Sequence, residues 1–195
     1  MGKIIIDKYG IDPSKVTVVH NGSEPSQQHE NSRFKNLYAL KAEGKKVVMF
    51  AGRITIQKGV DYFVRAAKKV LEYEPGVYFI VAGSGDMENQ IITLTADLGI
   101  SKNFLFTGYY KMEEQVDLFK AADVVVMPSV SEPFGIIPLE SMSNGTPVIV
   151  SKQSGVAEVI THALKVDFWD TDEMANNIIA VLRHQPLKET LSTEG

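Results

Sequence analysis

Two cations bound one short stretch, Arg53 and Lys58 in "GRITIQKG" (52–59), and two carboxylates, Glu132 and Glu140, stand eight positions apart in "SEPFGIIPLE" (131–140). Arg53 offers a planar fork matched to phosphate oxygens, and Lys58 a compact, movable charge. A helix starting at Lys58-Gly59 adds unpaired N–H groups and a partial positive charge, so a diphosphate is the natural guest. The plainer reading is that both cations pair with nearby acids on the surface. Neither glutamate has a cysteine or histidine beside it, which weakens any metal-site or hydrolytic-triad reading. Carboxylates accept well from sugar hydroxyls, and free N–H groups around Phe134, Gly135 and Ile136 can donate to a sugar or a phosphate. The plainer reading of both acids is that they complement a helix dipole, worth about a fraction of a kcal/mol each.

Two further loops carry the same kind of signal more weakly. In "VAGSGDMEN" (81–89) Gly83 follows a strand, but the three-glycine spacing of a dinucleotide fingerprint is absent. The stretch serves equally as a tight turn, with Asp86 near a helix start, or as a ligand contact. In "TGYYKMEEQ" (107–115) Gly108 ends a strand and Tyr109 and Tyr110 follow. Aromatic rings and free backbone can hold a flat base, although taken alone this reads as ordinary packing.

The elements that position these loops alternate between two periods. Apolar runs at 16–20, 46–52, 77–83, 103–108, 123–129, 146–151 and 164–168 are short and mostly rich in β-branched residues, and they read as strands. They do not alternate apolar with polar, so both faces of their sheet should be covered. Between them Val60, Phe63, Val64, Ala67, Val70 and Leu71 form one helical stripe ended by Pro75-Gly76. Met174, Ile178, Val181 and Leu182 form a second. Phe34, Leu37, Tyr38 and Lys41 suggest a third, with a basic, solvated outer face. Pro133 favours an extended Glu132, and Pro138 suits the first turn of a helix that carries Glu140 one turn in. The expected fold is α/β: a Rossmann-like, doubly wound, mainly parallel sheet with helices on both faces, whose ligands bind at the carboxyl ends of the strands. The polar stretch 21–32 reads as a surface loop or hinge.

Composition narrows the function classes. The chain has 195 residues, a net charge of -4 and no cysteine. The length suits a single domain over 1–195. The charge disfavours a nucleic-acid surface, and the lack of cysteine removes disulfides, thiolate nucleophiles and Cys-based zinc sites. No apolar run approaches a membrane span, and "MGKIIIDKYG" does not read as a signal peptide, so the expected location is cytoplasmic. Asp170-Thr171-Asp172, before the second helical stripe, reads as a helix cap and not a manganese site.

Taken together, "GRITIQKG", "VAGSGDMEN", "FTGYYKMEEQVDLFKAADVVVMPSVSEPFGIIPLESMSNGTPVIVS" and "SGVAEVI" resemble the nucleotide-binding half of a retaining, family-4-type glycosyltransferase of the GT-B architecture, related to glycogen synthase. The resemblance covers about residues 45–185 and rests most on the two glutamates with Pro-Phe-Gly between them. It implies a UDP-, ADP- or GDP-linked sugar as donor, a carbohydrate or lipid-linked acceptor, and no separate cofactor or metal. Arg53 and Lys58 would grip the diphosphate. Glu132 and the backbone of Phe134, Gly135 and Ile136 would face the donor sugar. Glu140 would bond the ribose, and backbone at Gly52, Gly83, Gly108 and Tyr109 would approach the nucleotide. It also implies a missing N-terminal acceptor domain, without which the chain would turn over poorly. "VTVVHNGSEP" resembles the place where a second domain begins. Ser154 stands where the family commonly has glycine, and no glycine precedes the strand in "THALKVDFWD". Two other classes stay open: a non-catalytic nucleotide-sugar-binding module acting with a partner chain, and a dinucleotide-dependent oxidoreductase, against which the spacing at 83–88 argues.

Overall fold

The computed structural model describes residues 2–23, 33–34 and 36–194. Most of the polar stretch 21–32 lies outside these. Six strands, β1 (Val47–Ala51), β2 (Tyr78–Ala82), β3 (Phe104–Gly108), β4 (Val124–Met127), β5 (Val148–Ser151) and β6 (Leu164–Val166), form one sheet in the order β3-β2-β1-β4-β5-β6. Every pairing is parallel. All residues of β1, β4 and β5 are buried, which is why these strands read as continuous apolar runs.

Successive residues of a strand point to opposite faces, and the core divides accordingly. Val48 and Phe50 of β1 join Phe79 and Val81 of β2 on one face, under α3 (Val60–Tyr73) and α7 (Thr171–Arg183). Val47, Met49 and Ala51 join Ile80 and Ala82 on the other, under α2 (Leu37–Ala42), α5 (Gln115–Ala121) and α6 (Ile137–Ser143). The stripe of α3 is buried as its period requires. Phe63 is the centre of its contact, edge-on to Phe79 at 5.8 Å and to Phe104 at 6.3 Å between ring centroids. Its complete burial is worth about 2–3 kcal/mol. Asp170 caps α7 by accepting from the Glu173 N–H at 2.8 Å.

Three elements differ from expectation. Residues 16–20 form no strand, and Val18 and Val19 are exposed. β-branched residues make a strand only where a neighbouring strand or core receives them, and none among the described residues does so here. Residues Gly2–Tyr9 form α1, which buries no residue. The short α2 does not turn its basic face outward. Lys41 Nζ donates to the Lys120 carbonyl at 2.8 Å and lies 3.9 Å from Asp123. Asp123, nearly inaccessible, also accepts from the Val47 N–H at 2.8 Å and from Lys188 of α8 (Gln185–Thr193), a helix the sequence reading did not contain. This buried carboxylate fastens α2 and α8 beneath the amino ends of β1 and β4. The remaining helix, α4 (Glu88–Asp97), follows β2. No helix among the described residues is long and apolar enough to cross a membrane.

Candidate functional site

The strand order reverses at β1. The chain winds outward through β2 and β3, then returns to β4 on the other side. The helices after β1 and after β4 leave on opposite faces, and a crevice opens between the carboxyl ends of these two strands. The two loops there are tied together. Gly59 (φ 65°) follows the tight turn Ile56–Lys58, and a Cβ on it would lie 2.1 Å from the Pro128 carbonyl oxygen, so no other residue fits without moving the loop after β4. The Val130 N–H donates to the Gln57 carbonyl at 2.9 Å.

This contact brings Lys58 to Glu132. The two form an ion pair, with side chains only 21% and 12% exposed. The plainer reading of Lys58 as a cation matched to a nearby acid therefore holds for this arrangement, and the acid is itself a candidate site residue. Glu132 is extended, as Pro133 requires, and bridges to Ser154. Its carbonyl accepts from the Gly155 N–H at 2.9 Å, and the Phe134 carbonyl accepts from the Val156 N–H at 2.7 Å. Ser154 fits without disturbance: it is buried and its Oγ donates to the Ser151 carbonyl at 2.6 Å. The N–H groups of Phe134, Gly135 and Ile136 have no protein acceptor among the described residues.

Beside this crevice a cleft of about 310 Å³ spans the tips of β1, β2 and β3. Gly52 and Arg53 form one wall, Gly83 and Ser84 the next, and Tyr109, Tyr110, Met112 and Gln115 the third. Gly83 (φ 136°) makes the walls meet. Its own N–H donates to the Gly108 carbonyl at 3.0 Å, and a Cβ there would lie 1.9 Å from the Gly52 carbonyl oxygen. The Arg53 guanidinium is exposed and makes no hydrogen bond or ion pair among the described residues. Arg33, by contrast, clamps the third wall, donating to the Tyr109 carbonyl and, at 3.1 Å, to Glu114. Tyr109 is 71% exposed, so it is not the ordinary packing that its sequence suggested.

Glu140 lies in the first turn of α6, with Pro138 tolerated beside it. Its carboxylate accepts from Gln115 Nε2 at 3.2 Å. Burial raises its pKa above the ordinary carboxylate value, and the Gln115 hydrogen bond opposes that rise. The Tyr110 phenol is pushed up to about 12, first by burial and then by the Glu140 charge. The structure thus brings Gly52, Arg53, Gly83 and Tyr109 to one cleft, reaches Glu140 from it through Gln115, and places Lys58 with Glu132, Phe134, Gly135 and Ile136 in the adjoining crevice. Gly108 supports the cleft through its carbonyl. Sequence reasoning missed Arg33, Ser84, Met112 and Gln115. Ser84, Met112 and Gln115 lie inside the stretches 81–89 and 107–115, but nothing in their types marked them, and Arg33 lies outside every quoted stretch.

The model of the family described as "Glycosyl transferases group 1" matches residues 31–195. An uncharacterized glycosyltransferase of Methanocaldococcus jannaschii is 40% identical over 154 residues, which cover 76% of this chain and 39% of that protein. A D-inositol 3-phosphate glycosyltransferase of Mycolicibacterium smegmatis is 33% identical over 193 residues, covering 93% of this chain and 43% of that protein. The chain therefore spans about two-fifths of the length of these relatives. Among solved structures, Anabaena HepE in complex with UDP-glucose superposes with a TM-score of 0.81 at 22% identity, covering 95% of this chain and 53% of that one.

Proposed function

This chain belongs to the group 1 glycosyltransferases, and from that premise we propose that residues 1–195 are one donor-binding domain that takes a nucleoside-diphosphate sugar and passes the sugar to an acceptor hydroxyl with retention at the anomeric carbon. The observation that carries this reading is the convergence of four strand tips on a cleft and crevice that hold, at one end, a guanidinium with no partner among the described residues and, at the other, an ion-paired ammonium.

As the glycosidic bond breaks, negative charge gathers on the diphosphate. Arg53 offers two parallel N–H bonds to its oxygens, and Lys58, once turned from Glu132, adds a second full charge. The N–H groups of Phe134, Gly135 and Ile136 are further donors with no partner among the described residues to give up. The freed Glu132 carboxylate accepts from hydroxyls of the donor sugar and so orients its anomeric carbon. Glu140 accepts from the ribose hydroxyls, while Gly52, Gly83 and the Gly108-Tyr109 backbone let the nucleotide approach closely. The leaving phosphate takes the proton of the incoming acceptor hydroxyl on the same face of the sugar, so configuration is kept and no side chain acts as general base.

The acceptor, a carbohydrate or a lipid-linked hydroxyl, is supplied with a site by an N-terminal domain in cis, in keeping with the share of its relatives that this chain spans. Calorimetric titration with UDP, ADP, GDP, their glucose conjugates and NAD tests the reading. One nucleoside diphosphate and its sugar should bind and NAD should not. Binding of NAD without any nucleotide sugar overturns it.

A further inference from the structure

We propose that Gln115 is a positioning residue that sets the preference of this site for ribonucleotides, by holding the Glu140 carboxylate toward the ribose diol without neutralising it. The proposal rests on the nucleotide-sugar reading and adds a residue to which the sequence reading gave no role. Gln115 opens α5, yet its side chain is only 9% exposed and lies against the cleft wall. Its Nε2 donates to Glu140 Oε2 at 3.2 Å, and no other hydrogen bond reaches that carboxylate among the described residues. The phenol of Tyr110 is the other polar group beside the pair, and the Gln115 side chain also hydrogen-bonds to it.

The choice of residue type matters here. A carboxylate that is to accept from two hydroxyls must be ionised, oriented and free of a full cation. Lysine or arginine at 115 would satisfy the carboxylate with a charge that hydroxyls cannot displace. An aliphatic side chain would leave Glu140 half-buried with no donor, both free to rotate and drawn toward its neutral form. An amide takes one oxygen with one neutral donor and leaves the remaining acceptor capacity for the ligand.

The test uses Gln115→Met, which keeps length and apolar packing and removes the donor, with Gln115→Asn as a second variant whose amide falls short of Glu140. The full chain is titrated with UDP, ADP and GDP and with their 2′,3′-dideoxy forms. In the unaltered chain the ribo form of the preferred nucleotide should bind more tightly than the dideoxy form. Both variants should lose about tenfold for the ribo form and stay within about twofold for the dideoxy form. In a Glu140→Gln background, Gln115→Met should cost nothing further. Equal losses for the two ligands, an unchanged ribo preference, or losses that add in the double variant overturn the proposal and leave the nucleotide-sugar reading standing. If the unaltered chain binds none of the three nucleotides, that reading falls and this one with it.

Discussion

Replacing Glu132 by glutamine should tighten the binding of a nucleoside diphosphate while lowering sugar transfer. The expectation comes from the Lys58–Glu132 ion pair, whose members are both mostly withdrawn from solvent. A diphosphate that recruits Lys58 must first separate it from Glu132. The direct attraction of such a pair about 3 Å apart is on the order of 5 kcal/mol at an effective dielectric of about 20, and desolvation of both groups offsets most of it. A net worth of about 1–2 kcal/mol is left, and glutamine, which still accepts from Lys58 without a charge, retains part of that. The remainder, about 1 kcal/mol, corresponds to roughly fivefold tighter binding of UDP, ADP or GDP, whichever the chain prefers. Transfer should fall because the carboxylate proposed to orient the donor sugar is gone. Removing a negative charge near a diphosphate also helps through space, so calorimetry on Lys58→Ala/Glu132→Gln against Lys58→Ala separates the two effects. If the pair is the cause, Glu132→Gln should gain little in the Lys58→Ala background. An unchanged or weaker affinity in the single variant would show that the diphosphate does not compete for Lys58, and the assignment of that residue would be lost.

Arg53→Ala should weaken nucleoside diphosphate binding by about 10- to 100-fold, the loss of a charge-assisted contact, and leave the bare nucleoside within about twofold; equal losses by calorimetry would contradict the anion role. Burial raises the pKa of Glu140 against the opposing hydrogen bond from Gln115, so its carboxyl takes up a proton above the usual carboxylate range as pH falls. Affinity for a ribonucleotide relative to its 2′,3′-dideoxy form should therefore decline through that raised pKa on acidification and be flat in Glu140→Gln; Tyr110, at about 12, stays neutral throughout, and the diphosphate's own titration affects both ligands alike. Asp123→Ala leaves Lys188, Lys41 and the Val47 N–H without their shared acceptor. After discounting for the partial exposure of both lysines, about 2–3 kcal/mol of stability should go, a fall in Tm of roughly 4–12 °C by calorimetric melting, with nucleotide affinity at 25 °C unchanged.

The sheet was legible in the sequence because a strand buried on both faces must be apolar at every position, and β1, β4 and β5 are. The run at 16–20 is likewise rich in β-branched residues and forms no strand, because composition states what a segment can join and not whether a neighbour is there to receive it. The helices divided in the same way. α3 and α7 carry long apolar stripes and were readable, whereas α8 buries Leu191 as its one fully enclosed residue and is fastened by Lys188 to an aspartate 65 positions away. A tertiary ion pair leaves no periodic mark.

The site shows the same boundary at finer scale. Glycines at 59 and 83 and the prolines at 133 and 138, between the two glutamates, were visible because backbone constraints are local, and each does in the structure what its type requires. What locality could not reveal was which charges meet. Arg53 and Lys58 look equivalent along the chain, yet one has no partner among the described residues and the other is held by Glu132 across 74 positions. The difference follows from the close approach of Gly59 to Pro128, which delivers Lys58 to the loop after β4 and leaves Arg53 at the rim of the neighbouring cleft. The two cations therefore should not act alike. Arg53 is ready for an anion as it stands and should govern the first capture of the diphosphate, whereas Lys58 must first be drawn from Glu132, at a cost that falls when Glu132 is given a hydroxyl to hold. A sugar hydroxyl on the same donor offers that exchange. Coupling the release of the ammonium to occupation by the sugar would favour the intact nucleotide sugar over the spent nucleoside diphosphate, the discrimination that a transferase working against its own product requires.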